Sequence, residues 1–307
     1  VTRVARAGTA AVRTAVAVLA AGLVVTSAGC SPADRDRPLV AVTTNILGDV
    51  VSEVVGDAAD VAVLMPAGAD PHSFEVSARE AARLRSADLV VENGLGLEEG
   101  VARHVEAATA DGVPVFTAGD AIDVLDWRTE DDSGPDPHFW TDPRRMAEVV
   151  SALDDALDEV GIDAPGADGY RAQLDALDGE VATAFATVPA DRRALVTNHH
   201  VFGYLADRYG FRIVGAVIPS GTTLASPSAA DLRDLATVIE DAGVPTIFAD
   251  LSQPARLAEV LADEAGIQVT ITPLATESLT ATGPASSYLG MTRSNAEAIV
   301  DGLSTHE

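Results

Sequence analysis

The sequence predicts an α/β protein of two lobes, each a parallel sheet flanked by helices, joined by one long spine helix with a ligand site in the cleft. Three observations predict it. Short runs rich in Val and Ile alternate with amphipathic segments of helical length, the pattern of parallel strands covered by helices. The alternation repeats in the second half of the chain, and between the two series lies one uninterrupted amphipathic stretch.

In order, "LVAVTT" reads as a strand, and "NILGDVVSEVVGD" as a helix whose Ile46, Leu47, Val50, Val51, Val54 and Val55 recur at helical spacing. "DVAVLMP" is the second strand, "SAREAARLRSA" a helix, "DLVVEN" the third strand, "LEEGVARHVEAA" a helix and "VPVFTA" the fourth strand. "DPRRMAEVVSALDDALDEV" is a helix with Asp142 as N-cap and Pro143 at its first position. The spine is expected over 167–187, where Tyr170, Leu174, Leu177, Val181 and Phe185 form one stripe, and its length of about 30 Å suits a bridge between lobes. The grammar then restarts. "ALVTNHH", "RIVGAVI", "PTIFAD" and "QVTITPL" read as strands, interleaved with helices at "VFGYLADRYG", "SPSAADLRDLATVIEDAG" (Ser226 as N-cap, Pro227 next) and "PARLAEVLADEAG". "NAEAIVDGL" closes the chain as a helix. The expected boundaries are 39–163 for the first lobe, 164–188 for the spine and 189–307 for the second lobe.

The 307 residues are 47% hydrophobic, enough apolar material for a large core. All 20 basic residues are Arg, against 47 acidic residues, for a formal charge of −27. Nucleic acid is thereby excluded as a partner, since phosphate binding needs clustered cations. Arg3, Arg6 and Arg13 precede an apolar run from Ala15 to Val25, and "TSAGC" ends at Cys30, the single cysteine. The run is shorter than the roughly 20 residues a permanent span requires, and residues 1–29 read as a secretory signal. Small residues ending in Cys resemble a bacterial lipobox, with Ser27 where an aliphatic residue is usual; the alternative is a plain signal with an incidental cysteine. Residues 30–38 would then be a lipidated Cys and a polar tether, which places the folded body outside the cytoplasm, anchored to the cell membrane.

Six histidines are present. His104 lies in a charged helix and His306 in the tail, whereas His72, His138 and His199 lie in loops at the ends of strands or helices. His72 and His138 share the tripeptide Asp-Pro-His, in which proline fixes a torsion and Asp accepts a hydrogen bond or shapes the turn. Two copies of this device, with a third strand-end imidazole, point to a preorganised metal site. Three neutral imidazoles suit Zn²⁺ and leave one tetrahedral position open. An open position keeps a zinc hydrolase in play, although no HExxH, GxSxG or Walker A motif is present.

In "MPAGADPHSFEVSARE", "ADLVVENGLGLEEGV", "DPHFWTDP", "NHHVFGYLADRYGF", "SAADLRDLATVIEDAGVPTIFAD" and "SSYLGMTRSNAEAIVDGL", the chain resembles the metal-binding receptors of bacterial zinc and manganese ABC importers, solute-binding protein family 9. The resemblance implies two α/β lobes joined by a rigid helix, metal held between them, and delivery to a membrane permease by a monomeric, non-enzymatic receptor. Carried over by motif, the metal ligands are His72, His138 and His199, with His199 rather than His200 in the ligand place. Many manganese-type relatives supply a carboxylate two residues before the Tyr of the last motif; here that place is Ser286, which favours Zn²⁺ over Mn²⁺. The fourth ligand is open between water, Asp250, Glu277 and Ser286, with Asp250 ahead of Glu277. Many zinc-type relatives carry a His-rich acidic loop; residues 118–137 are acidic without His and are expected to be a solvated, flexible loop. A surface adhesin, linked to some family members, is the remaining alternative.

Overall fold

The computed structural model describes residues 36–128, 133–218, 220–225, 227–252 and 269–304, together with residues 2, 259, 260 and 262. Apart from residue 2, the expected signal segment 1–29 lies outside the described residues, as do Cys30, Ser226, most of the helix expected in "PARLAEVLADEAG", and His306.

The first series contains β1 (Leu39–Val42), α1 (Asn45–Val55), β2 (Asp60–Val63), α2 (Ala78–Arg85), β3 (Leu89–Glu92), α3 (Glu99–Ala110) and β4 (Val115–Thr117). Its four strands form one parallel sheet in the order β2-β1-β3-β4. β1 and β3 are central and almost wholly buried, as expected of strands covered on both faces. After it come the antiparallel pair β5 (Asp126–Arg128) and β6 (Ser133–Pro135), then α4 (Pro143–Glu159) and α5 (Ala167–Ala186). The Asp142 carboxylate accepts from the Arg144 N–H and Pro143 opens α4, so this N-cap is as expected.

The second series contains β7 (Ala194–Thr197), α6 (Gly203–Tyr209), β8 (Arg212–Ala216), α7 (Ala229–Ala242), β9 (Thr246–Asp250), β10 (Thr270–Leu274) and α8 (Tyr288–Ser304). Its sheet, β8-β7-β9-β10, is parallel and repeats the strand order of the first, with the same reversal beside its first strand. Pro273 is tolerated in β10 because that strand lies at the sheet edge. Among the described residues no helix is long and apolar enough to cross a membrane.

The spine, α5, buries Tyr170, Leu174, Leu177, Val181 and Phe185, the stripe read from its sequence. It packs on α1 of the first series, on α4 and on α8 of the second series, and Phe185 meets Phe211 edge-on at 4.8 Å between ring centroids. One hydrophobic cluster runs through all of these elements, from Val40 to Leu303.

Three expectations need correction. The N-cap of α7 is Ser228, not Ser226: its hydroxyl accepts from the Asp231 N–H while the Asp231 side chain accepts from the Ser228 N–H, a reciprocal pair that a cap at Ser226 could not make. The closing helix starts seven residues before Asn295, at Tyr288, where the Asp49 carboxylate accepts the Tyr288 N–H. Residues 118–137 are not a uniformly solvated loop: residues 118–121 are a single 3₁₀ turn, β5 and β6 pair, and Asp136 is 2% exposed.

Candidate metal centre

The side chains of His72, His138, His199 and Glu277 converge on one point, each offering a donor atom within 4.8 Å of all the others. They come from the loop after β2, the segment after β6, the end of β7 and the segment after β10. In both Asp-Pro-His steps the aspartate accepts the histidine's backbone N–H at 3.0 Å, closing the turn that aims the ring. Asp136 Oδ1 also lies 2.7 Å from His138 Nδ1, which leaves Nε2 as the inward donor. Asp70 turns its other oxygen to the hydroxyls of Ser73 and Thr223. Gly203 opens α6 beside this arrangement, and a Cβ there would overlap the Asp136 carboxylate.

His138 Nε2 lies 3.4 Å from His72 Nε2, and Glu277 Oε1 lies 2.9 Å from His199 Nε2 and 3.5 Å from His138 Nε2. Glu277 Oε2 lies 3.8 Å from His72 Nε2. A tetrahedral ion with arms of about 2.0–2.1 Å needs donors about 3.3–3.4 Å apart, so these separations bracket the required edge. The four side chains are at most 2% exposed, and both oxygens of Glu277 and both ring nitrogens of His199 lack an aligned hydrogen-bond partner. Buried polar atoms without partners are costly, and an ion at the centre would satisfy one atom of each residue, His199 Nε2 and a Glu277 oxygen among them.

Burial is the first cause of every resolved shift here. It pushes the His72 imidazole down to about 2, reinforced by His138 and His199, and the His199 imidazole down to about 4 against the opposing pull of Asp250, Asp70 and Asp136. It pushes the Glu277 carboxyl up to about 8, opposed by His138 and reinforced by Asp250, Asp70 and Asp136. At neutral pH these two imidazoles therefore present free lone pairs.

The structure brings together the three expected histidines and one of the three side chains considered as a fourth ligand, Glu277. Asp250 is buried, but its carboxylate is occupied by backbone and hydroxyl donors. Ser286 is exposed and its hydroxyl donates to the Gly283 carbonyl, away from the cluster. Glu277, ranked below Asp250 from the sequence, is the acid that faces the imidazoles. His200 lies outside the cluster, stacked on Trp127 at 6.4 Å between centroids, and His104 is on the half-exposed flank of α3.

Two parallel sheets presenting a buried set of three imidazoles and one carboxylate define a metal-binding solute receptor of the ABC-importer class. The chain belongs to the ZnuA family: the family model described as zinc-uptake complex component A, periplasmic, matches residues 40–302. It is 30% identical over 280 residues to the zinc-binding protein TroA of Treponema pallidum, covering 87% of this chain and 89% of that protein. It is 26% identical over 295 residues to the manganese-binding lipoprotein MntA of Halalkalibacterium halodurans, covering 94% and 96% respectively. The solved structure of the T. pallidum protein superposes with a TM-score of 0.78 over 88% of this chain and 100% of that one. A manganese-bound periplasmic metal-binding protein from Candidatus Liberibacter asiaticus gives 0.75 at 25% identity, over 87% and 100%.

Proposed function

We propose that this chain captures Zn²⁺, in preference to Mn²⁺, through His72, His138, His199 and Glu277, and delivers it to the permease of an ABC importer from a lipid anchor at Cys30. The observation that carries the reading is the convergence of four buried donors, each within 4.8 Å of the others, with four of the six separations between 2.9 and 3.8 Å. Three imidazoles with one carboxylate suit Zn²⁺, whereas Mn²⁺ favours oxygen-rich sites and stands lowest in the divalent affinity series. Relatives with zinc and with manganese in their names both match the chain, so the donor set carries the choice.

Capture and release fit this site better than hydrolysis. A catalytic zinc keeps one position for water, and Glu277 fills it. With all four donors buried, the ion enters and leaves only when the second half shifts, carrying His199 away from His72 and His138. Delivery then follows from separating the two halves at the permease.

The test is chelator competition on the mature protein with each metal. Zinc is expected to bind more tightly than manganese, and His138→Ala to weaken zinc by more than about a hundredfold, beyond the 10–100-fold typical of outer-shell changes. His104→Ala is expected to leave affinity unchanged. Tighter manganese binding would reverse the metal assignment, and equal effects of the two variants would remove the site.

A further inference from the structure

We infer that Asp250 is a positioning residue that fixes the fourth donor, Glu277, and couples it to the strand end that bears His199. The inference rests on the metal-capture reading above and deepens it. Asp250 ends β9 and is 3% exposed, yet it contributes no atom to the four-donor cluster. Its Oδ1 accepts the Ser252 N–H at 2.6 Å and the Ser252 hydroxyl. Its Oδ2 accepts the N–H of Thr276 at 2.9 Å, the hydroxyl of Thr276 at 2.5 Å and the N–H of Glu277 at 3.1 Å. A carboxylate offers about four lone-pair sites, so five donors leave none for a cation.

Glu277 has the opposite character. Both of its carboxylate oxygens are buried without an aligned partner, so no hydrogen bond to the side chain sets where it points. Its place is set by its backbone, and that backbone is held from two sides. Asp250 grips the N–H groups of 276 and 277 from the second sheet, while Trp140 Nε1 donates to the Thr276 carbonyl at 2.8 Å from the first half. Asp250 also reaches the other donor of the second half, because its own N–H donates to Asn198 Oδ1 at 3.3 Å and Asn198 directly precedes His199. One buried residue thus sets the spacing between the two donors that the second half contributes. A donor held in place before the ion arrives loses less freedom on binding.

The experiment is a double-mutant cycle in zinc affinity, by chelator competition, on wild type, Asp250→Asn, Glu277→Ala and the double variant. Asparagine keeps the size of the side chain but replaces an acceptor oxygen with an NH₂ that opposes the N–H groups it must hold. Asp250→Asn is expected to weaken zinc about 10–100-fold with Glu277 present, and less than about threefold in the Glu277→Ala background, since the spacing between two donors matters only while both are present. An equal loss in both backgrounds, or no loss in either, overturns the inference. Should Asp250→Asn lack a cooperative melt, Thr276→Val, which removes one donor to Oδ2, is carried through the same cycle with an expected loss of about 3–10-fold that again depends on Glu277. Wild-type protein that fails to bind zinc overturns this inference together with the metal reading. Wild-type binding that His138→Ala abolishes, with Asp250→Asn and Thr276→Val unchanged, overturns the positioning role alone.

Discussion

Glu277 and the two neighbouring imidazoles titrate in opposite directions for the same reason: burial disfavours whichever form is charged. In the metal-free protein near neutral pH the carboxyl, pushed up to about 8, holds its proton, while His72 and His199 stay neutral. A divalent ion needs the carboxylate, so binding must expel that proton. Zinc affinity should therefore rise about tenfold per pH unit from about pH 6 to 8 and level off above, where the carboxyl is already ionised. Calorimetry in two buffers of different ionisation enthalpy should find about one proton released per zinc at pH 7, falling toward none near pH 9. Release that does not diminish as pH rises would place the proton elsewhere. At this scale the sequence showed part of the site. The histidines were legible because Asp-Pro-His occurs twice and each copy builds the same turn. Glu277 was not, because "ATESLT" offers no periodicity, and an isolated Glu among small polar residues has the composition of a surface segment. Its burial beside three imidazoles, with both oxygens unpartnered, distinguishes it. Asp250, and the exposure though not the turn role of Asp136, were misjudged for a related reason: whether a carboxylate binds an ion, clamps a backbone or meets solvent depends on the donors around it, which sequence order does not disclose.

Elements whose apolar residues repeat strongly were the legible ones. The stripe of α5 follows from Tyr170, Leu174, Leu177, Val181 and Phe185 alone, and the structure buries all five. α8 was read short because Gly290, Thr292 and Ser294 weaken its first turns, and its start is set by tertiary contacts: the Tyr288 N–H on Asp49 and the Tyr288 hydroxyl on the Trp140 carbonyl. The β5–β6 pair has strands of three residues, too short for alternation to register. α7 offered two serines beside a proline, and the partner three residues on, Asp231, decided for Ser228. Because α5 packs against both series but contributes no donor, its core and the metal centre should be separable. Leu177→Ala is expected to cost about 2–5 kcal/mol in chemical denaturation, the usual range for a fully buried leucine. The folded fraction should keep its zinc affinity within about twofold, since distant sites act almost independently. A large affinity loss without unfolding would show that the spine sets the geometry of the donors as well as carrying the core.

Residues 37–307 form one compact unit, and the largest hydrophobic cluster crosses from β1 through α5 to α8 without a break. Contacts near the metal centre also cross between the halves: Tyr204 on α6 donates to the Asp136 carbonyl and accepts the Leu125 N–H, Thr223 donates to Asp70, and Asn45 at the start of α1 holds Ser278 and Leu279. If the halves were independent, each would melt separately. A shared core predicts one cooperative transition, and a shared ion predicts that zinc moves all of it. Zinc at a thousandfold over its dissociation constant adds about 4 kcal/mol, which for a chain of this size raises Tm by about 7 °C. Scanning calorimetry with and without zinc checks both points. Two transitions, one of them indifferent to zinc, would mean that the halves fold apart and meet only to bind. One transition that moves as a whole would mean that any parting of His199 and Glu277 from His72 and His138 works against the same contacts that hold the protein folded.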